Sequence, residues 1–470
     1  MISNLISTNP RVLARGSTLV AALALAGCMN LAPRHAVPAA PVPERLPLPA
    51  GLAASAAAED AVRAPLGWRT FVRAEALQRL VTLALQHNRD LRVALLNVQR
   101  AEAQLGATRA DRLPSVAAGV TAAATPNAST GRQTHSYTAG VQVTAWELDL
   151  FGRVANLGEA AQAQVLASDA GRRAAELALV ASVIQGWLTL QADTGLLQVT
   201  ERLAASRDDS LRLTQLRFDA GAASALELQS ARSLAAQARA TQAQLARQRA
   251  QDLNALALLA GGPVPDELLP PAAASDDDLA EVPVGLASAV LLRRPDVIQA
   301  EHQLAAASAN IGVARAAFFP RLTLTGSAGQ ATSHFADLFS GGHFAWSLSA
   351  QALATIFDAG RNQANLDAAR VSRELAVAQY EKAVQSAFRE TADALAGVDT
   401  WRGQHEALRQ QRDAAREIDR LTTLRYERGA ASELERLDAQ RSLLAAEQAL
   451  VQARLGEQVN RVGLFKALGG

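Results

Sequence analysis

Residues 217–224 read RFDAGAAS, and residues 425–432 read RYERGAAS. The two stretches lie 208 positions apart. Gly152-Arg153 recurs as Gly360-Arg361 at that same offset, and Pro114 has a counterpart in Pro320 at an offset of 206. One repeated octamer could be chance, but several landmarks in register mark an internal duplication. A period this long excludes the short solenoid repeats.

Working outward from the octamers, each half reads helix, strand, strand, long helix, glycine turn, helix. In the first half a helical pattern covers 75–112 and stops before Pro114. A strand pair follows within 115–148. Tyr137, Ala139, Val141 and Val143 share one face there, and Thr138, Gly140, Gln142 and Thr144 share the other. A long helix is expected over 154–219, a break at Gly221, and a second helix over 224–260.

The second half repeats the plan. A helix over 284–318, irregular near RRPDV, ends before Pro320. A strand pair within 321–357 sets Leu322 and Leu324 against Thr323 and Thr325, then Phe344, Trp346 and Leu348 against Ala345, Ser347 and Ser349. The next helix runs to about 427, Gly429 interrupts it, and a last helix reaches about 463. That helix carries Leu434, Leu437, Leu444, Val451, Leu455 and Val459 as an apolar stripe. The expected organisation is a first repeat over 67–262, a Pro- and Asp-rich linker over 263–283, a second repeat over 284–465 and a tail over 466–470.

The N-terminus reads as targeting rather than fold. Arg11 and Arg15 precede the apolar run STLVAALALAG. The run is shorter than the about 20 residues a spanning helix needs, and 1–27 reads as a signal peptide. It ends in LALAGC, which resembles a lipobox and makes Cys28 the expected site of acylation and anchoring. Residues 28–66 are rich in Pro and Ala and read as an extended tether.

Composition narrows the function. Cys28 is the only Cys among 470 residues, so intramolecular disulfides and Cys-based metal clusters are excluded. The formal net charge is +1, which gives no field toward nucleic acid. Aromatics make up 4% and alanine abounds, which favours long helices packed along their sides over a large globular core. His334 and His343 flank the loop between the last two strands and read as surface residues. No phosphate loop, dinucleotide fingerprint or nucleophile elbow occurs. No metal, cofactor or catalytic centre is expected.

A helix of about 66 residues extends about 100 Å, more than one globular domain buries. Four strands leave unmet edges and cannot close alone into a conducting barrel. Their apolar face suits lipid and their Thr/Ser/Gln face suits water. A backbone in lipid needs a closed barrel, so several chains must supply strands to one ring. The residues alone leave the number of chains open.

These features resemble the TolC-like outer membrane efflux proteins, and within them the lipidated NodT-type group. The resemblance rests on the lipobox at Cys28, LVTLALQHNRDLRVALLNVQRAEAQ before Pro114, ELDLFGR at 147–153, LLRRPDVIQAEHQLAAASANIGVARAAFFPRLTLTG at 291–326, and the two Arg-aromatic-x-x-Gly turns. It implies a mostly α protein with a transmembrane β-barrel. Three protomers, four strands each, would form that barrel, continuous with a long periplasmic α-helical barrel. It implies a passive outer membrane channel, not an enzyme. Its expected partners are two further copies, outer membrane lipid, a periplasmic membrane-fusion adaptor and an inner membrane pump of RND or related type. The competing reading is a lipid-anchored periplasmic coiled-coil protein without a pore.

By the same resemblance, Arg217, Phe218, Gly221, Arg425, Tyr426 and Gly429 lie at the periplasmic hairpin tips and meet the adaptor. Pro114, Gly152, Arg153, Pro320, Gly360 and Arg361 mark structural junctions between strands and helices. Two departures stand out. GWRTF carries only Trp68 where many relatives have two adjacent Trp. HNRD places Arg89 where relatives have Pro, so the helix is expected to continue through it.

Overall fold

The computed structural model describes residues 30–46, 66–126, 131–272, 278–282 and 288–470. Cys28 and the signal segment lie outside them. In chain order the helices are α1 (Trp68–Phe71), α2 (Glu75–His87), α3 (Arg89–Ala110), α4 (Arg153–Asp219), α5 (Ala225–Ala260), α6 (Pro295–Ala316), α7 (Arg361–Glu427) and α8 (Glu433–Ala467). The strands are β1 (Val116–Pro126), β2 (Gln133–Leu148), β3 (Arg321–Thr332) and β4 (Phe344–Leu353). The duplication is thus literal: α4 and α7 each have 67 residues.

The chain divides into two compact units. Of the described residues, one comprises 30–39, 97–126, 131–169 and 299–381 and holds the sheet. The strands pair antiparallel in the order β1-β2-β3-β4. Register carries the alternation seen within single strands across the whole sheet. Val120, Ala139, Gln330 and Phe344 lie in one row, and Ala118, Val141, Ala328 and Trp346 in the next row on the same face. The opposite face carries Thr121, Thr138 and Ala331 in one row, and Gln142, Ser327 and Ser347 in another. Val120, Val141, Phe344 and Trp346 are exposed, so the apolar face has no cover from its own chain.

Two local devices shape this sheet. Gly140 pairs with Gly329 on the polar face. A Cβ on Gly140 would run into Ala328 O and Gly329 Cα, and one on Gly329 into Ala139 O and Gly140 Cα. Only glycine lets the two backbones come this close. The register then shifts between Val143 and Trp146. Ala145 takes φ 51° as the extra residue, and its N–H donates to Thr325 Oγ1 at 3.1 Å. Without that bulge Trp146 would point to the polar side and Glu147 to the apolar side. With it, Trp146 pairs with Leu324 and Glu147 with Thr323.

In the same unit Arg315 Nη1 donates to Leu31 O at 2.9 Å. The residues just after Cys28 are therefore held against α6.

The second unit comprises Ala40–Leu96, Ala170–Ile298 and Lys382–Gly470. Its core joins both repeats: Leu77, Leu80, Ile184, Trp187, Leu256 and Val462 are fully or almost fully buried, and Phe71 stacks on Phe465 at 4.3 Å. Packing of this kind supplies about 1.5–3 kcal/mol per buried large apolar side chain. The linker belongs to this core. Trp187 Nε1 donates to Leu268 O at 3.1 Å, Ala280 N–H donates to Phe71 O at 2.7 Å, and Val72 bridges Leu279.

The irregularity at RRPDV has an electrostatic cause. A 3-10 helix over Ser288–Arg293 hands over to α6 at Arg294. Arg294 has a side chain only 5% exposed, and its guanidinium reaches Asp296, Glu390 at 2.7 Å and Ala467 O at 3.1 Å. One buried cation thus ties α6, α7 and the end of α8, and its two carboxylates offset the cost of burying it.

Three expectations need correction. The helix over 75–112 does not continue through HNRD: Asn88 is extended (φ −61°, ψ 132°). Its Oδ1 accepts from Leu91 N–H at 2.9 Å and its Nδ2 donates to Leu259 O at 3.0 Å. The Asn caps the new helix, so the break needs no Pro. The last helix runs to Ala467, past the tail expected at 466. On α8 the Leu stripe is not the buried seam; Ala439, Ala446 and Ala453 are buried, while Leu434 is 71% exposed. Alanines seven apart let helices approach more closely than leucines do.

Candidate functional site

Two places in the fold bear on function: the strand-to-helix junctions and the hairpin tips. At the first junction Gly152 has φ 70°, and Arg153 opens α4. Arg153 Nε and Nη2 donate to the two carboxylate oxygens of Glu147 at 2.7 and 2.8 Å. Arg321, at the start of β3, donates to Glu147 Oε2 through Nη2 at 2.6 Å and Nε at 3.1 Å. One carboxylate, 11% exposed, therefore anchors a helix start and a neighbouring strand together.

Asp149 Oδ2 accepts from Ala155 N–H at 2.6 Å and caps α4. At the second junction Asp358 does the same for α7, accepting from Asn362 N–H at 2.9 Å and Gly360 N–H at 3.0 Å. The Asn362 N–H, followed by those of Gly360 and the charge of Arg361, holds the Asp358 carboxyl below its usual range. Arg361 has no ion pair like that of Arg153 among the described residues. Pro114 and Pro320 sit where expected, between a helix and the strand after it.

The two tips are built alike to the level of single bonds. Gly221 has φ 71° and Gly429 φ 74°. Ala222 N–H donates to Arg217 O at 2.7 Å, and Ala430 N–H to Arg425 O at 2.8 Å. The next helix begins with a capping box, Ser224 with Glu227 and Ser432 with Glu435. The repeated arginine closes the turn: Arg217 Nη2 reaches Ala222 O at 3.4 Å and Arg425 Nη2 reaches Ala430 O at 3.0 Å. A β-branched or otherwise bulky residue in place of either glycine would be strained at that φ.

The aromatics differ. Phe218 is 38% exposed, and its neighbours Leu213 and Leu216 are 54% and 58% exposed. Tyr426 is half-buried under Arg436, whose Cζ lies 5.1 Å from the ring centroid. Arg436 pairs with Glu433 and reaches Ser210 Oγ at 3.4 Å. Burial, then the Glu433 charge and its hydrogen bond, push the Tyr426 hydroxyl up. The structure thus brings Arg217 with Phe218, and Arg425 with Tyr426, to turns of one design with unequal faces.

Glu147, Arg321 and Arg294 were not singled out as site residues from sequence. The only signal for Glu147 was an acid at the end of an alternating strand.

The profile of the family described as Outer membrane efflux protein matches residues 80–262 and 286–470, one segment per repeat. The chain is 43% identical over 460 residues to the probable efflux pump outer membrane protein TtgC of Pseudomonas putida, covering 97% of this chain and 95% of that protein. It is 42% identical to the outer membrane protein OprJ of Pseudomonas aeruginosa, with the same coverage. Among solved structures, the open state of the MtrE outer membrane channel of Neisseria gonorrhoeae superposes with a TM-score of 0.83 at 35% identity, over 94% of this chain and 98% of that one.

Proposed function

This chain belongs to the outer membrane efflux protein family, and we propose from that premise that three copies close one conducting barrel and dock on a periplasmic adaptor. That it is an efflux channel of the outer membrane, and not an enzyme, follows from the family and its named relatives. The proposal concerns the assembly. Its main support is the four-stranded sheet, whose outer strands β1 and β4 keep one edge free within the chain. One face is apolar and one polar along every strand, so lipid and water are sorted before any second copy arrives. Three copies of four strands give twelve. The even count suits an antiparallel barrel.

We further infer that Cys28 is acylated and anchors the chain, with Arg315 seating the residues that follow it. In this reading the tips at Gly221 and Gly429 meet a membrane-fusion adaptor, which links the channel to an inner membrane pump. The solutes carried are drugs or other small molecules delivered by that pump.

Native mass in detergent together with conductance in planar bilayers tests the assembly. A trimer mass with ion conductance is expected. A monomer with neither conductance nor β-barrel circular dichroism would leave the pore-free, lipid-anchored alternative. Growth in labelled fatty acid tests the anchor, with label expected on the wild type and absent from Cys28→Ser.

A further inference from the structure

In the second unit, α4, α7 and α8 line a half-open cavity of about 350 Å³ beside Ala272 of the linker. Its wall carries no acid: Arg409 and Arg412 come from α7 and Arg454 from α8, with the imidazole of His405 beside them. Gln191 and Gln458 supply the other polar atoms, and Leu188 and Val451 are among the apolar ones. The nearest acids stand outside the wall. Glu406 holds Arg409 at 3.0 Å, Glu457 lies 2.9 Å from His405, and Asp413 Oδ1 is 2.7 Å from Arg412 Nε.

The wall also holds a buried donor lacking an acceptor. Gln191 is 1% exposed and its Nε2 has no partner. Arg412 Nε is buried and faces the Asp413 carboxylate at 2.7 Å. A buried donor left unsatisfied costs about 1–3 kcal/mol. An orphan amide donor on a wall that also carries Arg409, Arg412 and Arg454 suits an acceptor-rich ligand. Guanidinium forks match phosphate oxygens in geometry and charge. The volume exceeds that of a bare phosphate and falls in the range of organic-ligand pockets, about 300–1,000 Å³.

We propose that this cavity binds a phosphate-type oxyanion, its oxygens on Arg412, Arg409 and Gln191, and any apolar body it carries on Leu188 and Val451. None of its lining residues belongs to the hairpin tips or to the strands.

Titration calorimetry on the full chain in detergent, at fixed ionic strength, tests this with inorganic phosphate, phenyl phosphate and chloride. Saturable binding of one or both phosphates, and none of chloride, is expected. Phenyl phosphate binding more tightly assigns the site to a phosphate carried on an apolar body; equal binding assigns it to the free ion. Arg412→Gln should weaken binding at least tenfold, and Gln191→Leu severalfold without changing charge. Arg420→Gln should bind as wild type, since Arg420 pairs with Glu417 and is not on the cavity wall. Circular dichroism and native mass confirm that each variant is folded. Absence of saturable binding by either phosphate, or undiminished binding in folded Arg412→Gln, overturns the proposal.

Discussion

Glu147 on β2 accepts two hydrogen bonds from Arg321 on β3, 174 residues further along the chain. The same carboxylate takes two more from Arg153 at the start of α4. The bulge at Ala145 makes this possible by turning Glu147 to the polar face. Glu147→Ala should leave two guanidiniums facing each other without their shared anion. Both are partly exposed, so the expected loss is about 1–3 kcal/mol, below the figure for a fully buried pair. The trimer band in unheated gel electrophoresis should melt at lower temperature. Glu147→Asp, which keeps the charge but shortens the reach, should fall between.

The Gly140–Gly329 contact makes a sharper prediction. Gly140→Val places a branched side chain where Ala328 O and Gly329 Cα of the facing strand leave no room. Little or no mature barrel should form, measured as protease-resistant protein in outer membrane fractions. Gly119→Ala is the matched control. It lies beside Gly140 on the same face, and a Cβ there meets nothing within 4 Å. Normal levels are expected. Equal loss in both variants would show that the row tolerates no side chain for some reason other than backbone contact.

How much of this was legible follows from which interactions are local. The glycine turns, the capping boxes and the alternating faces depend on neighbours within a few residues, and the repeat displays each twice. The bulge was hidden because Ala145, not Gly or Asn, occupies the left-handed position, so the alternation reads cleanly only to Thr144. Arg294 was hidden because its partners Glu390 and Ala467 lie 96 and 173 residues away. The break at Asn88 escapes any rule that looks for Pro as the breaker, because a side-chain cap suffices. The alanine seam of α8 shows the same limit: the Leu stripe was visible, but tertiary approach decides which residues are buried.

The tips separate two roles for one motif. Arg425→Ala removes the hydrogen bond to Ala430 O at an exposed turn, so its cost in stability should be below about 1 kcal/mol. Phe218→Ala breaks no turn contact and should leave stability within about 0.5 kcal/mol. If the tips meet the adaptor, Phe218→Ala nonetheless lowers drug tolerance and adaptor co-purification. Tyr426→Ala should cost more stability than Phe218→Ala, because Arg436 packs on the Tyr426 ring. Unchanged tolerance in folded Phe218→Ala and Leu216→Ala would remove the apolar side of the first tip from the docking surface.

Asp193 on α4 gives the fold a pH dependence. Burial first, then the hydrogen bond and charge of Asp252 on α5, raise its carboxyl from 3.8 to about 6. Between those values the native state holds a proton that the unfolded chain releases, so stability falls as pH rises through that window. Above it the ionised form bears the full penalty of two neighbouring carboxylates in a site only 8% exposed at Asp193. Asp193→Asn keeps the shape and removes the ionisation. It should stabilise the protein by about 1–3 kcal/mol at pH 7.5 and by little at pH 4, read from urea unfolding at both values. A gain of equal size at the two pH values would mean that the residue acts through packing and that its titration carries no weight in the stability of this helix pair.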